Sequence, residues 1–155
     1  MRHWLFKTEP SAFSWERLQR ERRTEWSGVR NFAARNNMKE MKLGDLGFFY
    51  HSSIAEPAIV GIVKVVREAY PDFTARDKKS EYYDGRATEK NPIWEMVDVA
   101  YEAEMPRPVT LKELRATPQL AYMELLKRGQ RLSVQPVTSQ EWAAILALAK
   151  DRKNA

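Results

Sequence analysis

Cysteine is absent from this chain of 155 residues, and histidine occurs only twice, as His3 and His51. Without cysteine the chain can form neither a disulfide nor a thiolate metal site. A histidine and cysteine metal cluster is therefore excluded, and no acidic residues stand at a spacing typical of metal ligands. The sequence gives no indication of a metal site.

Long hydrophobic runs are missing as well. No stretch approaches the roughly 18 apolar residues of a membrane span, and the start of the chain is too poor in apolar residues for a signal peptide. Hydrophobic residues make up 43% of the chain and charged residues 30%, as in an ordinary globular protein. At this length we predict one domain over residues 1–150 and a frayed tail at 151–155.

Motifs of common enzymes are also lacking. The glycine-rich loops that cradle phosphates, Gly-x-Gly-x-x-Gly and Gly-x-x-x-x-Gly-Lys-Ser/Thr, do not occur. A catalytic triad has no positioned partners, because His51 is merely adjacent in sequence to Tyr50 and Ser52. We therefore predict that the protein is not an enzyme. A structural and a functional role for His51 both stay open at this point.

What the chain does contain is a succession of short β patterns and helical stripes. Apolar or alternating runs predict strands at 3–6, 47–51, 58–66, 92–105 and 131–137. Capping residues and helical spacing predict helices from Ser14, at 31–41, 111–116 and 117–129, and from Thr138. Because most connections are short, we predict an α+β fold with a curved, partly closed barrel.

Positive charge is concentrated at the start of the chain. Residues 1–42 hold 10 Lys+Arg and 5 Asp+Glu, whereas residues 43–155 hold 16 of each. A local basic excess is typical of nucleic-acid binders. A basic face that binds an acidic protein partner, or one that is simply solvated, is the alternative.

The segment 24–38 is the most unusual part of this basic region. It places Trp26 beside a Ser-Gly turn and follows it with Arg30, Asn31 and Arg35. Amides and guanidinium groups read base edges and phosphates, and an aromatic ring can stack on a base. The same residues also suit a turn that leads into an amphipathic helix with Trp26 half-buried, so both interpretations remain.

Seven blocks of the sequence, spread over nearly the whole chain, resemble the EVE domain family. They are Trp4-x-Phe6-Lys-Thr-Glu-Pro10, Trp26-Ser-Gly-Val-Arg-Asn31, Ala34-Arg-Asn36, Gly44-Asp45, Phe48-Phe-Tyr-His-Ser52, Ala69-Tyr-Pro-Asp72 and Arg131-Leu-Ser-Val-Gln-Pro-Val137. The chain departs from the family pattern at Ala33, where a glutamine is usual.

This resemblance implies a PUA-like pseudobarrel of about five to six mostly antiparallel strands flanked by helices, similar to YTH and ASCH domains. It implies a non-enzymatic module that reads a modified base, such as a modified cytosine, flipped out of nucleic acid. DNA is the expected partner before RNA, and neither a cofactor, a metal nor a membrane is implied. An RNA- or nucleotide-modifying enzyme and a protein-interaction module are the alternatives. Because the chain lacks the long basic N-terminal extension of the nuclear members, we expect a bacterial, cytoplasmic protein.

The resemblance and the residue chemistry together give a set of candidate site residues. A flipped base needs a stacking surface and groups that read its edge. The predicted base pocket consists of Lys7, Thr8, Glu9, Trp26, Asn31, Tyr50, Ser52, Ser133 and Gln135. Cations that would hold phosphate are predicted at Arg20, Arg22, Arg23, Arg30 and Arg35.

Overall fold

The computed structural model describes residues 1–151, which contain six strands in one mixed sheet. The strands are His3–Thr8 (β1), Arg23–Glu25 (β2), Leu46–His51 (β3), Ala58–Pro71 (β4), Glu95–Thr110 (β5) and Val134–Val137 (β6). Their order is β2-β5-β4-β3-β1-β6, in which β1 pairs with β3 in parallel and all other neighbours are antiparallel. The predicted α+β class with a mostly antiparallel sheet is confirmed.

In the described part of the chain, four α-helices and three short 3-10 turns surround the sheet. The helices are Trp15–Glu21 (α1), Phe32–Glu40 (α2), Leu111–Arg115 (α3) and Ser139–Lys150 (α4). The 3-10 turns are Phe73–Arg76, Pro118–Leu120 and Glu124–Leu126. The capping boxes expected before α3 and α4 are both present. Within residues 1–151 no helix has the length and apolar character needed to cross a membrane.

Strand β1 lies inside the molecule because its side chains are apolar on both faces. Trp4, Leu5 and Phe6 are fully buried. Trp4 and Phe6 belong to one hydrophobic cluster together with Phe49, whereas Leu5 packs in a second cluster with Phe48. The alternation of side chains along a strand explains this division, so the end of β1 is held rigidly from both sides.

Two predictions from the sequence are wrong because the backbone there depends on contacts with other parts of the fold. The strand predicted at 92–105 ends just before Pro106 and Pro108, yet β5 continues through both prolines to Thr110. The register between β4 and β5 shifts at this point, so the prolines lie where no ladder hydrogen bond is required. The helix predicted at 117–129 is also wrong, since this segment forms only the last two 3-10 turns.

Other element predictions differ mainly in extent. The last strand begins at Val134 rather than at residue 131, and the short strand β2 was not predicted. The register of β4 with both neighbouring strands shifts around Gly61. A Cβ atom at Gly61 would lie 2.1 Å from Cζ2 of Trp15, so the absence of a side chain also admits the indole ring. Residues 152–155 of the expected frayed tail lie outside the described residues.

Candidate functional site

A cavity of about 390 Å³ opens where the two edges of the curved sheet approach each other. We call it the Trp26 cavity. Its walls come from the end of β1, the turn before α1, the segment from β2 to α2, the long loop before β5, and the residue before β6. The lining residues are Lys7, Thr8, Ala12, Phe13, Arg17, Thr24, Glu25, Trp26, Ser27, Gly28, Val29, Arg30, Glu81, Tyr82 and Ser133.

Backbone pairing beyond the strand ends fixes the two sides of this cavity. The Lys7 N–H donates to the Ser133 carbonyl at 2.7 Å, which extends the pairing between β1 and β6. The Trp26 N–H donates to the Val97 carbonyl at 2.7 Å, which extends the pairing between β2 and β5. Both walls are therefore continuations of the sheet.

Trp26 forms an aromatic wall that is supported from behind. Its ring centroid lies 5.1 Å from that of Phe6, 5.8 Å from that of Phe49 and 6.3 Å from that of Phe13, each in an edge arrangement. Only 8% of the residue is exposed. Trp26 is thus a buried core residue that also lines the cavity, so its packing role is confirmed and base stacking stays a prediction.

Gly28 brings the facing wall close to the backbone. It has a φ of +82°, a conformation that glycine adopts without steric cost. A Cβ atom at this position would lie 2.7 Å from Cζ of Tyr82, so the phenol ring packs directly on the glycine. The Gly28 N–H donates to Oδ2 of Asp72 at 2.8 Å, which anchors this turn.

Arg30 ties the Trp26 segment to the long loop. Its guanidinium donates to the Tyr82 carbonyl at 3.0 and 2.8 Å, to Asp72 Oδ2 at 3.0 Å, to Thr74 Oγ1 at 3.1 Å and to the Val29 carbonyl at 2.9 Å. An arginine side chain has five N–H donors, and these bonds use all of them. Arg30 therefore positions the cavity wall, and the expected phosphate contact has no donor left.

Charges of both signs border the Trp26 cavity. Partial burial lowers the pKa of the Lys7 ammonium. Glu25 and Glu81 are exposed carboxylates at the rim. Burial and the nearby Glu81 raise the pKa of the Tyr82 phenol, which therefore keeps its proton at neutral pH. The cavity thus offers a flat ring together with hydrogen-bond donors and acceptors, the features that bind a planar polar heterocycle.

The structure brings together four of the nine predicted pocket residues: Lys7, Thr8, Trp26 and Ser133. Glu9 lies on an exposed turn, where its carbonyl accepts the N–H groups of Ala12 and Phe13. Asn31 is the N-cap of α2, and its Oδ1 accepts the Ala34 N–H at 2.9 Å. Neither side chain lines the Trp26 cavity.

The other three predicted pocket residues lie elsewhere. Gln135 is fully buried, and its Nε2 donates to the Leu132 carbonyl at 2.7 Å. Tyr50 is 3% exposed and belongs to the hydrophobic cluster on the opposite face of β1. Tyr50 and Ser52 line a different cavity, which also includes Lys7. These side chains are therefore not available to a molecule in the Trp26 cavity.

Most of the other predicted phosphate ligands are engaged within the protein. Arg22 lies over the ring of Tyr101, with its guanidinium carbon 4.3 Å from the centroid. Arg23 pairs with Asp98 at 3.0 Å, and Arg35 donates to the Ile93 carbonyl at 2.8 Å. Arg20 is exposed, and its side chain has no hydrogen bond or ion pair within residues 1–151.

His51 has a structural role. It is 6% exposed, its Nδ1 lies 3.2 Å from the Thr8 carbonyl, and its Nε2 accepts the Trp15 N–H at 3.2 Å. These contacts require the proton on Nδ1. Among residues 1–151, no group of three or more His, Asp or Glu side chains is placed to hold a metal.

Sequence reasoning missed most of the facing wall. Glu81 and Tyr82 lie in the irregular segment between Arg76 and β5, where no motif or periodic pattern singles them out. The residues that were not predicted are Ala12, Phe13, Arg17, Thr24, Glu25, Ser27, Gly28, Val29, Glu81 and Tyr82. Ala33, where the chain departs from the EVE pattern, is exposed on α2 and does not line the cavity.

Comparisons with known proteins agree with this architecture. The EVE domain model matches residues 2–148. Thymocyte nuclear protein 1 of Gallus gallus is 44% identical over 170 residues, which cover 97% of this chain and 69% of that protein. The crystal structure of human THYN1 protein in complex with 5-methylcytosine containing DNA has a TM-score of 0.93 at 41% identity, covering 98% of this chain and 99% of the human one.

A more distant structure shares the fold alone. The YTH domain of Zygosaccharomyces rouxii MRB1 protein, in complex with N6-methyladenosine RNA, has a TM-score of 0.55 at 15% identity and covers 97% of this chain and 85% of that one. The PUA-like fold expected from the sequence is thereby confirmed. This chain belongs to the EVE domain family, in the branch that contains thymocyte nuclear protein 1.

Proposed function

We propose that this protein is a non-enzymatic module that binds DNA containing a modified cytosine and takes that base, flipped out of the duplex, into the Trp26 cavity. The observation that carries the proposal is the cavity itself, an aromatic and polar recess of about 390 Å³. Small-molecule sites typically measure roughly 300–1,000 Å³. The complex of human THYN1 protein with 5-methylcytosine containing DNA supports this choice of ligand.

The residues of the cavity suit the chemistry of a cytosine ring. Trp26 supplies the stacking face, and its edge contacts with Phe6 and Phe49 hold it in place before a base arrives. Carboxylates accept hydrogen bonds from the cytosine N4 amine, and Glu25 and Glu81 are the carboxylates at the rim. Because the wall is already formed, binding energy is not spent on ordering it.

The test is a binding titration with matched duplexes that differ only in the modification of one cytosine. We compare Trp26→Leu with Trp142→Leu, because Trp142 is 7% exposed and also packs on aromatic rings, yet lies in the other hydrophobic cluster. Stacking of a base on an aromatic side chain contributes about 1–3 kcal/mol. Trp26→Leu should therefore weaken binding of the modified duplex roughly 5- to 150-fold.

The control variant Trp142→Leu should be less stable than the wild-type protein but should keep its preference for the modified duplex. Equal affinity of the wild-type protein for modified and unmodified duplexes would contradict the proposal, and so would equal effects of the two tryptophan variants. The titration also includes a single-stranded RNA that carries the same modified cytosine. If the protein binds this RNA more tightly than the DNA duplex, RNA is the partner. Mass analysis of the recovered oligonucleotides should find them unchanged, whereas a changed base would indicate an enzyme.

A further inference from the structure

A second cavity, of about 510 Å³, shares Lys7 with the Trp26 cavity. We call it the basic cavity. It lies between the end of β3, the start of α3 and the loop after the last 3-10 turn. Its lining residues are Lys7, Tyr50, Ser52, Ser53, Pro57, Leu111, Arg115, Leu125, Lys127, Arg128, Gly129 and Gln130. Every charged residue in this set is a cation.

The cations of the basic cavity are less engaged than other arginines of the protein. Arg115 and Arg128 are exposed, and neither side chain forms a hydrogen bond or an ion pair within the part of the chain that the structure describes. Lys127 pairs with Glu124 at 2.7 Å on the outside, where the lysine side chain is 60% exposed. Arg30, by contrast, has no N–H left. Arg115 and Arg128 are therefore positive charges of the basic cavity that pair with no carboxylate of residues 1–151.

The frame of the basic cavity is built from backbone contacts. The Ser52 N–H donates to the Thr8 carbonyl at 3.1 Å, and the Leu111 N–H donates to the Pro57 carbonyl at 2.8 Å. Arg115 stands in the last turn of α3, where a cation suits the helix dipole. Because Arg115 and Arg128 line the same cavity and carry the same charge, an anion in the cavity would be attracted by both.

We propose that the basic cavity binds the phosphodiester backbone next to the nucleotide that occupies the Trp26 cavity. The inference rests on the proposed function, since it places a phosphate beside a flipped base. Lys7 lines both cavities, so a phosphate in the basic cavity would lie next to a base in the Trp26 cavity. Phosphate contacts set affinity and register and carry no sequence information. The phosphate ligands are therefore Arg115 and Arg128 rather than the arginines near the start of the chain.

The test compares two double variants that remove the same charge. Arg115→Gln with Arg128→Gln changes the basic cavity, whereas Lys42→Gln with Lys64→Gln changes two exposed cations that line neither cavity. Affinity for a duplex with one 5-methylcytosine is measured at several salt concentrations. Each phosphate contact contributes about 0.9 to the slope of log K against log salt.

The basic-cavity variant should lower the magnitude of that slope by about 1–2 and weaken binding at low salt by at least about tenfold. The ratio of affinities for modified and unmodified duplexes should stay the same. Since both arginines are exposed, the melting temperature should not change. A slope equal to that of the lysine control would overturn the inference.

Two further outcomes are informative. One distinguishes a free phosphate ion from the DNA backbone as the ligand, and the other distinguishes failure of this inference from failure of the proposed function. In the first outcome, the wild-type protein binds inorganic phosphate, the double arginine variant does not, and both proteins bind DNA equally well. The basic cavity would then bind a free anion, and the inference would be overturned. If the wild-type protein binds DNA without preference for 5-methylcytosine, only the proposed function fails, and the slopes still decide on the phosphate site. Absence of any DNA binding would overturn both.

Discussion

The Trp26 cavity and the basic cavity meet at Lys7, yet they differ in the chemistry of their walls. The first is lined by aromatic rings and by charges of both signs, and its arginines are engaged: Arg17 with Glu21 at 2.6 Å, and Arg30 through all of its donors. In the second, all charged lining residues are cations. The difference separates two tasks of nucleic-acid recognition, since base contacts give specificity whereas phosphate contacts give affinity and position.

The largest effect should follow from Arg30→Met, which alters only the Trp26 cavity. The change leaves the fully buried carboxylate of Asp72 without its cation, and loss of one partner of a buried pair costs about 3–5 kcal/mol. Denaturant unfolding should show this loss, and DNA binding should fall because Tyr82 is no longer held. Arg2→Met is the control, since the side chains of Arg2 and its partner Glu40 are 52% and 59% exposed and exposed pairs contribute about 0–1 kcal/mol. Similar losses for both variants would argue against a positioning role for Arg30.

A smaller effect is expected for Gly28→Ala, compared with Gly44→Ala. Both glycines have positive φ, at +82° and +89°, but a Cβ atom at Gly44 would meet nothing within 4 Å. Strain in a left-handed conformation costs about 1–2 kcal/mol for a residue with a Cβ. Gly28→Ala should cost more than this because Tyr82 must move, and it alone should weaken DNA binding. If the two alanine variants have equal melting temperatures and equal affinities for DNA, the contact between Gly28 and Tyr82 contributes neither to stability nor to binding.

The smallest effect on stability, and one of opposite sign, should come from Lys7→Met at the junction of both cavities. Burial lowers the pKa of Lys7 below its ordinary value of 10.5, so the folded protein binds fewer protons than the unfolded chain between the two values. Wild-type stability should therefore rise with pH in that window, and this contribution should be absent from Lys7→Met. At neutral pH the variant should melt at the same or a higher temperature while DNA binds less tightly. A lower melting temperature would contradict this account of Lys7.

Local sequence patterns predicted the parts of the fold that depend on local chemistry. The two capping boxes and the buried strand β1 follow from side chains close in sequence, and the structure contains them. The path of β5 through Pro106 and Pro108 depends on how β4 pairs with it, which no local pattern contains. The segment 117–129 has helical spacing, but it is divided into two separate 3-10 turns.

The candidate site was only partly predictable from the sequence. Lys7, Thr8, Trp26 and Ser133 belong to blocks with a recognisable pattern, and all four line the Trp26 cavity. Tyr82 reaches the cavity through the fold of a long loop and through its contact with Gly28. The arginines near the start of the chain suggested phosphate binding by composition, but composition does not reveal that Asp72 and Asp98 are their partners.

The most direct measurement is the fluorescence of 2-aminopurine placed next to a single 5-methylcytosine in a duplex. The fluorescence of this base analogue rises when it loses a stacked neighbour, so removal of the methylated base from the helix should increase its emission. We predict a rise on saturation with the wild-type protein, a much smaller rise with Trp26→Leu at equal occupancy, and none with an unmethylated duplex. Saturated binding of the methylated duplex without any change in emission would contradict the claim that the base enters the Trp26 cavity.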